Sequence, residues 1–461
     1  MRRALATAMS ALALGACVVG PGHRDPRPAA PAQTPFASLG SPAFTGNEPP
    51  GRWWSLFRDP LLDRLIEQAL RENTDLRVAA ANLRRARAVL RETRAGRLPT
   101  TEINASATYG QGPGGDASDL YDVGLDIGYQ IDLFGRIRRA IEASRADVEA
   151  VQAAFDLARI TVAAETARAY ADACSAGRQL AVARETLRIQ ERTLDLTRRL
   201  FEGGRGTALE TNQAGALLDQ NRAAIPTLES LRRTALFRLS VLTGRPPADF
   251  PPEAAACETP PALSRPIPVG DGGALLSRRP DIRAAERSLA AATARVGVAT
   301  ADLYPTISLG GSVGSPAASP GGLVSSNGFR FSLGGLISWT FPNVAVARAR
   351  IAQAEASAEG ALAAFDGTWL RALEETESAL TRYAGELDRL TALRRARGQS
   401  AEAARIARLR FQAGREPFQV VLDAERVLAQ TDAAVAQSEA VLSDNLVSLF
   451  LALGGGWQDS I

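Results

Sequence analysis

Between Asp122 and Asp132 the chain alternates strictly. Val123, Leu125, Ile127, Tyr129 and Ile131 fall on one face of an extended strand, and Asp122, Gly124, Asp126, Gly128, Gln130 and Asp132 fall on the other. A soluble sheet roofed by helices accepts this dyad, and so does a sheet set between lipid and a water-filled lumen. The residues beyond Gly135 separate the two. They contain no proline until Pro226 and no paired-glycine break until Gly203-Gly204. About 65 residues therefore predict one helix of about 100 Å, at 1.5 Å per residue. A helix of that length is far outside the globular norm.

The pattern then recurs. Asp75-Leu76-Arg77-Val78-Ala79 and Asp281-Ile282-Arg283-Ala284-Ala285 open helices that lead to Leu98-Pro99-Thr100 and Tyr304-Pro305-Thr306 respectively. Each proline precedes an alternating strand, a loop rich in Gly, Pro or Ser, a return strand and a very long helix. A glycine turn comes next, at Phe201-Glu202-Gly203-Gly204 and at Phe411-Gln412-Ala413-Gly414, and then a returning helix. The chain is thus a duplication. Residues 53–244 form a first repeat with strands at about 101–110 and 121–132. Residues 245–277 are a Pro-rich linker, and 278–456 form a second repeat with strands at about 306–314 and 329–341. The aromatics Phe329, Phe331, Trp339 and Phe341 lie toward the ends of the last strand, as membrane-interface girdles require. In the first long helix Val148, Val151, Phe155, Ala158 and Val162 step by three and four, which predicts a coiled-coil seam. Thr207 and Glu210 have capping-box spacing, and Pro417 fits the first position of the helix after the second turn. Trp53-Trp54 opens the folded part as a core anchor, with Asp59-Pro60 as the cap and first residue of a helix.

The N-terminus alters the picture of where the chain resides. Met1-Arg2-Arg3 and the apolar run Ala4–Leu14 read as an export signal over residues 1–16. Leu14-Gly15-Ala16-Cys17 looks like a bacterial lipobox, and that likeness implies a lipidated Cys17 as the mature N-terminus. Residues 17–52, rich in Pro, Ala and Gly, read as a tether. His23, the one histidine in the chain, reads as a solvated residue of that tether.

Composition mainly excludes. The net charge is +3, with 53 basic residues, all of them Arg, against 50 acidic ones, so no nucleic-acid footprint is present. Cysteines at 17, 174 and 257 lack metal spacing, and no phosphate-binding Gly-Lys pair occurs, so zinc, triad and nucleotide chemistry have no foothold. Glu374-Glu375 reads as a solvated helix face. Cys257 can pair with Cys174 only if the fold brings the linker onto the helix.

Taken together, Trp53-Trp54, Asp132-Leu133-Phe134-Gly135, Arg279-Pro280-Asp281-Ile282-Arg283-Ala284-Ala285-Glu286, Tyr304-Pro305 and Val421-Leu422-Asp423-Ala424 are highly specific. Through them the chain resembles the TolC/OprM-like outer-membrane efflux channels, especially the NodT-type lipoproteins of tripartite efflux systems. The resemblance implies a mainly α fold with a membrane β-barrel, as a homotrimer whose four strands per subunit make a 12-stranded barrel above an α-helical periplasmic tunnel. Geometry agrees, since four strands cannot close a membrane barrel and open edges cannot face lipid. The implied role is a passive exit duct for small molecules or drugs, with no cofactor beyond the lipid on Cys17. Its implied partners are a periplasmic adaptor and an inner-membrane RND-type pump. By the same resemblance Asp423 would line the narrow aperture, with Glu416 forming an outer ring, and Gln213 stands at the matching place in the first repeat. The turns at Gly203, Gly204 and Gly414 would form the tip that meets the adaptor. A duct for type I protein secretion and a non-transport coiled-coil lipoprotein are the alternatives.

Overall fold

The computed structural model describes residues 18–26, 35–111, 117–263, 265–325, 328–342 and 344–455. Cys17 lies outside the described residues. The strands are β1 (Phe44–Thr45), β2 (Thr100–Gln111), β3 (Ala117–Ile131), β4 (Ile267–Pro268), β5 (Thr306–Ala317) and β6 (Arg330–Ser338). The helices of the first repeat are α1 (Pro60–Glu72), α2 (Thr74–Ala95), α3 (Arg136–Glu202), α4 (Ala208–Arg222) and α5 (Ala224–Leu242). Next come α6 (Pro252–Ala255), α7 (Gly272–Arg278), α8 (Pro280–Ala301), α9 (Val344–Gln412) and α10 (Phe418–Ala452). The two long helices α3 and α9 contain 67 and 69 residues.

The chain forms two compact units. One contains 18–26, 81–153 and most of 283–367; the other contains most of 35–80, 154–282 and 368–455. In the first unit β2, β3, β5 and β6 form one antiparallel sheet in that order. The ladder of β3 ends at Ile131 because Asp132 turns away to cap α3. Its carboxylate accepts from the backbone N–H of Ile137 at 2.9 Å and of Arg138 at 2.8 Å, which serves the positive end of a long helix. Gly135, at φ +80°, makes the intervening turn. The last strand is shorter than its expected 329–341. Beyond Ser338 the chain leaves the ladder, and the Trp339 indole N–H donates to the Leu303 carbonyl at 3.1 Å.

The first unit also corrects the expectation of a free tether. Val19 N–H donates to Phe134 O at 3.3 Å, and Arg139 donates to the carbonyls of Val19 at 3.3 Å and Gly20 at 3.0 Å. Gly20 lies against Gly297 so closely that a Cβ on Gly20 would sit 2.4 Å from the Gly297 Cα. The His23 side chain is 14% exposed, not solvated.

The second unit is built around the double tryptophan. Trp53 and Trp54 are buried in a 3-10 turn, Trp53–Phe57, and Trp53 stacks on Phe450 at 4.8 Å between ring centroids. Asp59 caps α1, with Pro60 at its first position. The parallel pair β1 and β4 carries the linker beside this core. Arg279 explains its motif physically. Its guanidinium reaches Asp281 at 2.7 Å, Glu375 at 2.8 Å and the Ala452 carbonyl at 2.9 Å, tying the start of α8 to α9 and to the end of α10.

The most deeply buried stripe of α3 runs beside the expected seam. Asp156, Ile160, Ala163, Ala167, Tyr170 and Cys174 step by four and three and are all buried, which is the heptad spacing. Of the expected seam residues, Val148, Val151, Phe155 and Ala158 are half-buried, while Val162 is buried beside Ala69 and Leu76. Hydrophobicity favoured the valines, but the tightest approach uses alanines because small side chains let helix backbones come close. The returning helix of the first repeat is split at Ala223, since Pro226 has no N–H to give the carbonyl of Arg222. Its counterpart α10 has no proline and runs unbroken for 35 residues. Pro417 is the residue before α10, one place earlier than expected. The linker is also stapled to α3, through a disulfide between Cys174 and Cys257 with their Cα atoms 4.7 Å apart.

Candidate functional site

The register of the sheet gathers the apolar positions of four strands on one face. Ile103 opposes Leu125, which opposes Val313, which opposes Phe331; in the next rows lie Ile127, Gly311 and Leu333, then Tyr129, Leu309 and Gly335. Among the described residues no element covers this face. Ile103 is 78% exposed, Phe331 75% and Leu333 86%. A patch of that size on a water-facing sheet would aggregate, so it marks a surface meant for another apolar medium. The opposite face is polar and cross-linked by its own side chains. Asn104 donates to Asp126 at 2.7 Å, Arg330 pairs with Asp122 at 2.6 Å, and Ser312 and Ser332 lie 2.8 Å apart. Among the described residues no helix is long and apolar enough to cross a membrane.

Among the described residues each edge strand, β2 and β6, has one strand neighbour within the chain. Backbone N–H and C=O groups left open on those edges cost several kcal/mol each in hydrocarbon.

The glycine turns are built twice to one pattern. At the end of α3 Arg205 N–H donates to Leu200 O at 2.8 Å and Gly204 N–H to Phe201 O at 3.0 Å; at the end of α9 Arg415 and Gly414 repeat both bonds with Arg410 and Phe411, each at 2.9 Å. These are Schellman ends with Gly204 at φ +67° and Gly414 at φ +69°. Gly203 is not left-handed and belongs to the helix cap. The Thr207 and Glu210 capping box is present at the next helix start.

The acids near the second turn divide into exposed and buried. Asp423 is 48% exposed and pairs with Arg426 at 2.8 Å, while Gln419 donates to it at 3.4 Å. Glu416 pairs with Arg410 at 2.9 Å. Asp423 thus pairs within its own helix, the arrangement its spacing from Arg426 allows. Glu425, which no motif indicated, is 4% exposed. It accepts from the Thr193 hydroxyl at 3.0 Å and from Arg408 at 3.3 Å, joining α3, α9 and α10 beside the cluster of Leu194, Leu218, Phe418, Val421 and Leu422. Burial raises its pKa, opposed by the Thr193 hydrogen bond and by Arg408. Its signal in the sequence is a charge four residues after Val421 on an apolar helical stripe.

Residues 65–245 and 273–455 match the family described as outer membrane efflux protein, and the two matches coincide with the two repeats. The chain belongs to the outer membrane efflux protein family. It is similar to outer membrane protein OprJ of Pseudomonas aeruginosa, 33% identical over 97% of this chain and 95% of that protein. It is also similar to nodulation protein T of Rhizobium leguminosarum bv. trifolii, 29% identical over 98% of this chain and 97% of that protein. The solved structure of the outer-membrane channel OprN superposes with a TM-score of 0.90 at 39% identity, covering 96% of this chain and all of that one. For a member of this family the uncovered apolar face is the part that meets lipid, and the chain is an efflux channel of the outer membrane. The family is one of channels, not a class of enzyme.

Proposed function

We propose that three copies of the chain close a 12-stranded barrel and a helical tunnel, forming a passive exit duct for small molecules or drugs. An inner-membrane RND-type pump drives the duct, and contact with it runs through a periplasmic adaptor. The observation that carries the reading is the pair of open edges on a sheet with an uncovered apolar face. Lipid cannot satisfy β2 and β6, whereas β6 of one copy and β2 of the next can satisfy each other. The turns at Gly203, Gly204 and Gly414 are the adaptor-contact tip, and Asp423 with Glu416 lines the aperture. Cys17 carries the lipid anchor.

Native mass spectrometry of the detergent-purified protein, paired with planar-bilayer recording, tests the assembly. A species of three chains with ion conductance is expected. A monomer without conductance, under conditions that keep the disulfide intact, overturns it. The N-terminal peptide from the same preparation should begin at Cys17 and carry acyl mass; a peptide still bearing residues 1–16 overturns the anchor.

A further inference from the structure

The chain's one histidine is brought against two carboxylates from different parts of the sequence. His23 Nε2 lies 3.1 Å from Glu286 Oε1 on α8 and 3.4 Å from Asp25 Oδ1. One ligand atom from each residue falls within 4.8 Å of the other two. Main-chain packing places them there. The segment that carries His23 and Asp25 is fixed through Val19, Gly20, Phe134, Arg139 and Gly297, so the imidazole and the carboxylates do not depend on one another to meet.

The local charge is unbalanced. Arg287 touches Glu286 at 2.6 Å, Glu149 at 3.3 Å and Asp25 at 3.5 Å. Three carboxylates against one guanidinium sum to −2 beside the imidazole. That is the charge complement of one divalent cation.

We propose that His23, Asp25 and Glu286 bind one divalent transition-metal cation, which pins the N-terminal segment to α8. One imidazole nitrogen with two carboxylate oxygens suits copper(II), zinc and nickel, and among these copper(II) binds nitrogen and oxygen sites most tightly. Three protein donors leave positions for water, so the site exchanges its ion instead of enclosing it. Arg287 is a built-in competitor. Its Nε and Nη2 both hold Glu286 at 2.6 Å, and a cation on Oε1 must displace Nη2 while Nε keeps Oε2.

The test titrates copper(II) into the full chain, purified without a histidine tag in detergent, with calorimetry and electron paramagnetic resonance as readouts. One equivalent per chain is expected, with superhyperfine splitting from a single imidazole nitrogen. His23→Ala and Glu286→Gln should each weaken binding by at least about tenfold, whereas Arg287→Ala should tighten it. Hydrogen exchange of the peptide spanning residues 18–26 should slow when copper(II) is added. No binding, binding unchanged in His23→Ala, or weaker binding in Arg287→Ala overturns the site. Binding without slowed exchange overturns the pinning. The His23 and Arg287 substitutions bear on partly exposed side chains, and chain-chain assembly read by native mass spectrometry controls for loss of fold.

Discussion

Cys174, in the middle of α3, is bonded to Cys257 in the linker, 83 residues further along the chain. One turn after Cys174 stands Gly177, where a Cβ would lie 2.2 Å from the Cys257 carbonyl oxygen. The absent side chain and the disulfide therefore do one job, holding the connection between the repeats against the helix.

Closing a loop of that length stabilises by about 4–5 kcal/mol in the chain-entropy picture, with native strain subtracting from it. Reduction of the wild-type protein should lower its thermal midpoint, and Cys257→Ala should lower it equally and abolish the response to reductant. Gly177→Ala should leave two free thiols in a substantial fraction of molecules, counted by alkylation and mass spectrometry. A fully oxidised Gly177→Ala protein with wild-type melting contradicts the close approach.

Gly204 and Gly414 have open space where a side chain would go, so substitution there meets backbone strain and not a clash. A left-handed non-glycine residue costs about 1–2 kcal/mol, too little to unfold a bundle of this size. Gly204→Val should therefore leave the yield of assembled protein intact while raising drug susceptibility of cells that depend on the channel. Unchanged susceptibility across Gly204→Val, Gly414→Val and the double variant counts against a role for the turns in contact with a partner.

The Asp423–Arg426 pair is exposed on both sides, and such pairs contribute about 0.3–0.5 kcal/mol. Arg426 consequently does not lock the carboxylate away from an aperture. Asp423→Ala should raise single-channel conductance and weaken cation preference, and Arg426→Ala should strengthen that preference by releasing the charge. Identical conductance and reversal potential in all three proteins would sink the aperture assignment.

Glu425 gives a pH signature of defined sign. Burial raises its folded pKa above the ordinary carboxylate value of about 4.3. Its favourable contribution is then complete below that value and is lost as pH rises through the raised folded pKa. Relative to wild type, Glu425→Gln should gain stability as pH rises above the ordinary carboxylate value of about 4.3, most simply read as the difference in thermal midpoint with pH. A difference that shrinks or reverses with rising pH means that Arg408 and Thr193 outweigh the cost of burial.

Much of this architecture can be read in the linear pattern, because the features that specify it are local. Alternation in β3, proline ahead of β2 and β5, the glycine ends of α3 and α9, and the Thr207–Glu210 box each depend on residues a few positions apart. Tertiary structure decided what depends on distant partners. The deepest stripe of α3 passes through Ile160, Ala163, Ala167, Tyr170 and Cys174, and Val162 is buried while Val148 and Val151 stay half-buried, because the closeness of a neighbouring helix, and not hydrophobicity alone, selects the seam. His23 left the solvent because Gly20 meets Gly297, a contact between residues 277 positions apart that no periodicity encodes. No local motif sets Glu425 apart, and its packing under Thr193 and Arg408 is what removes it from water. The disulfide needed the linker to cross α3 at the level of Gly177, where backbone could approach backbone. Local chemistry chose the elements, and long-range packing chose which of their faces met.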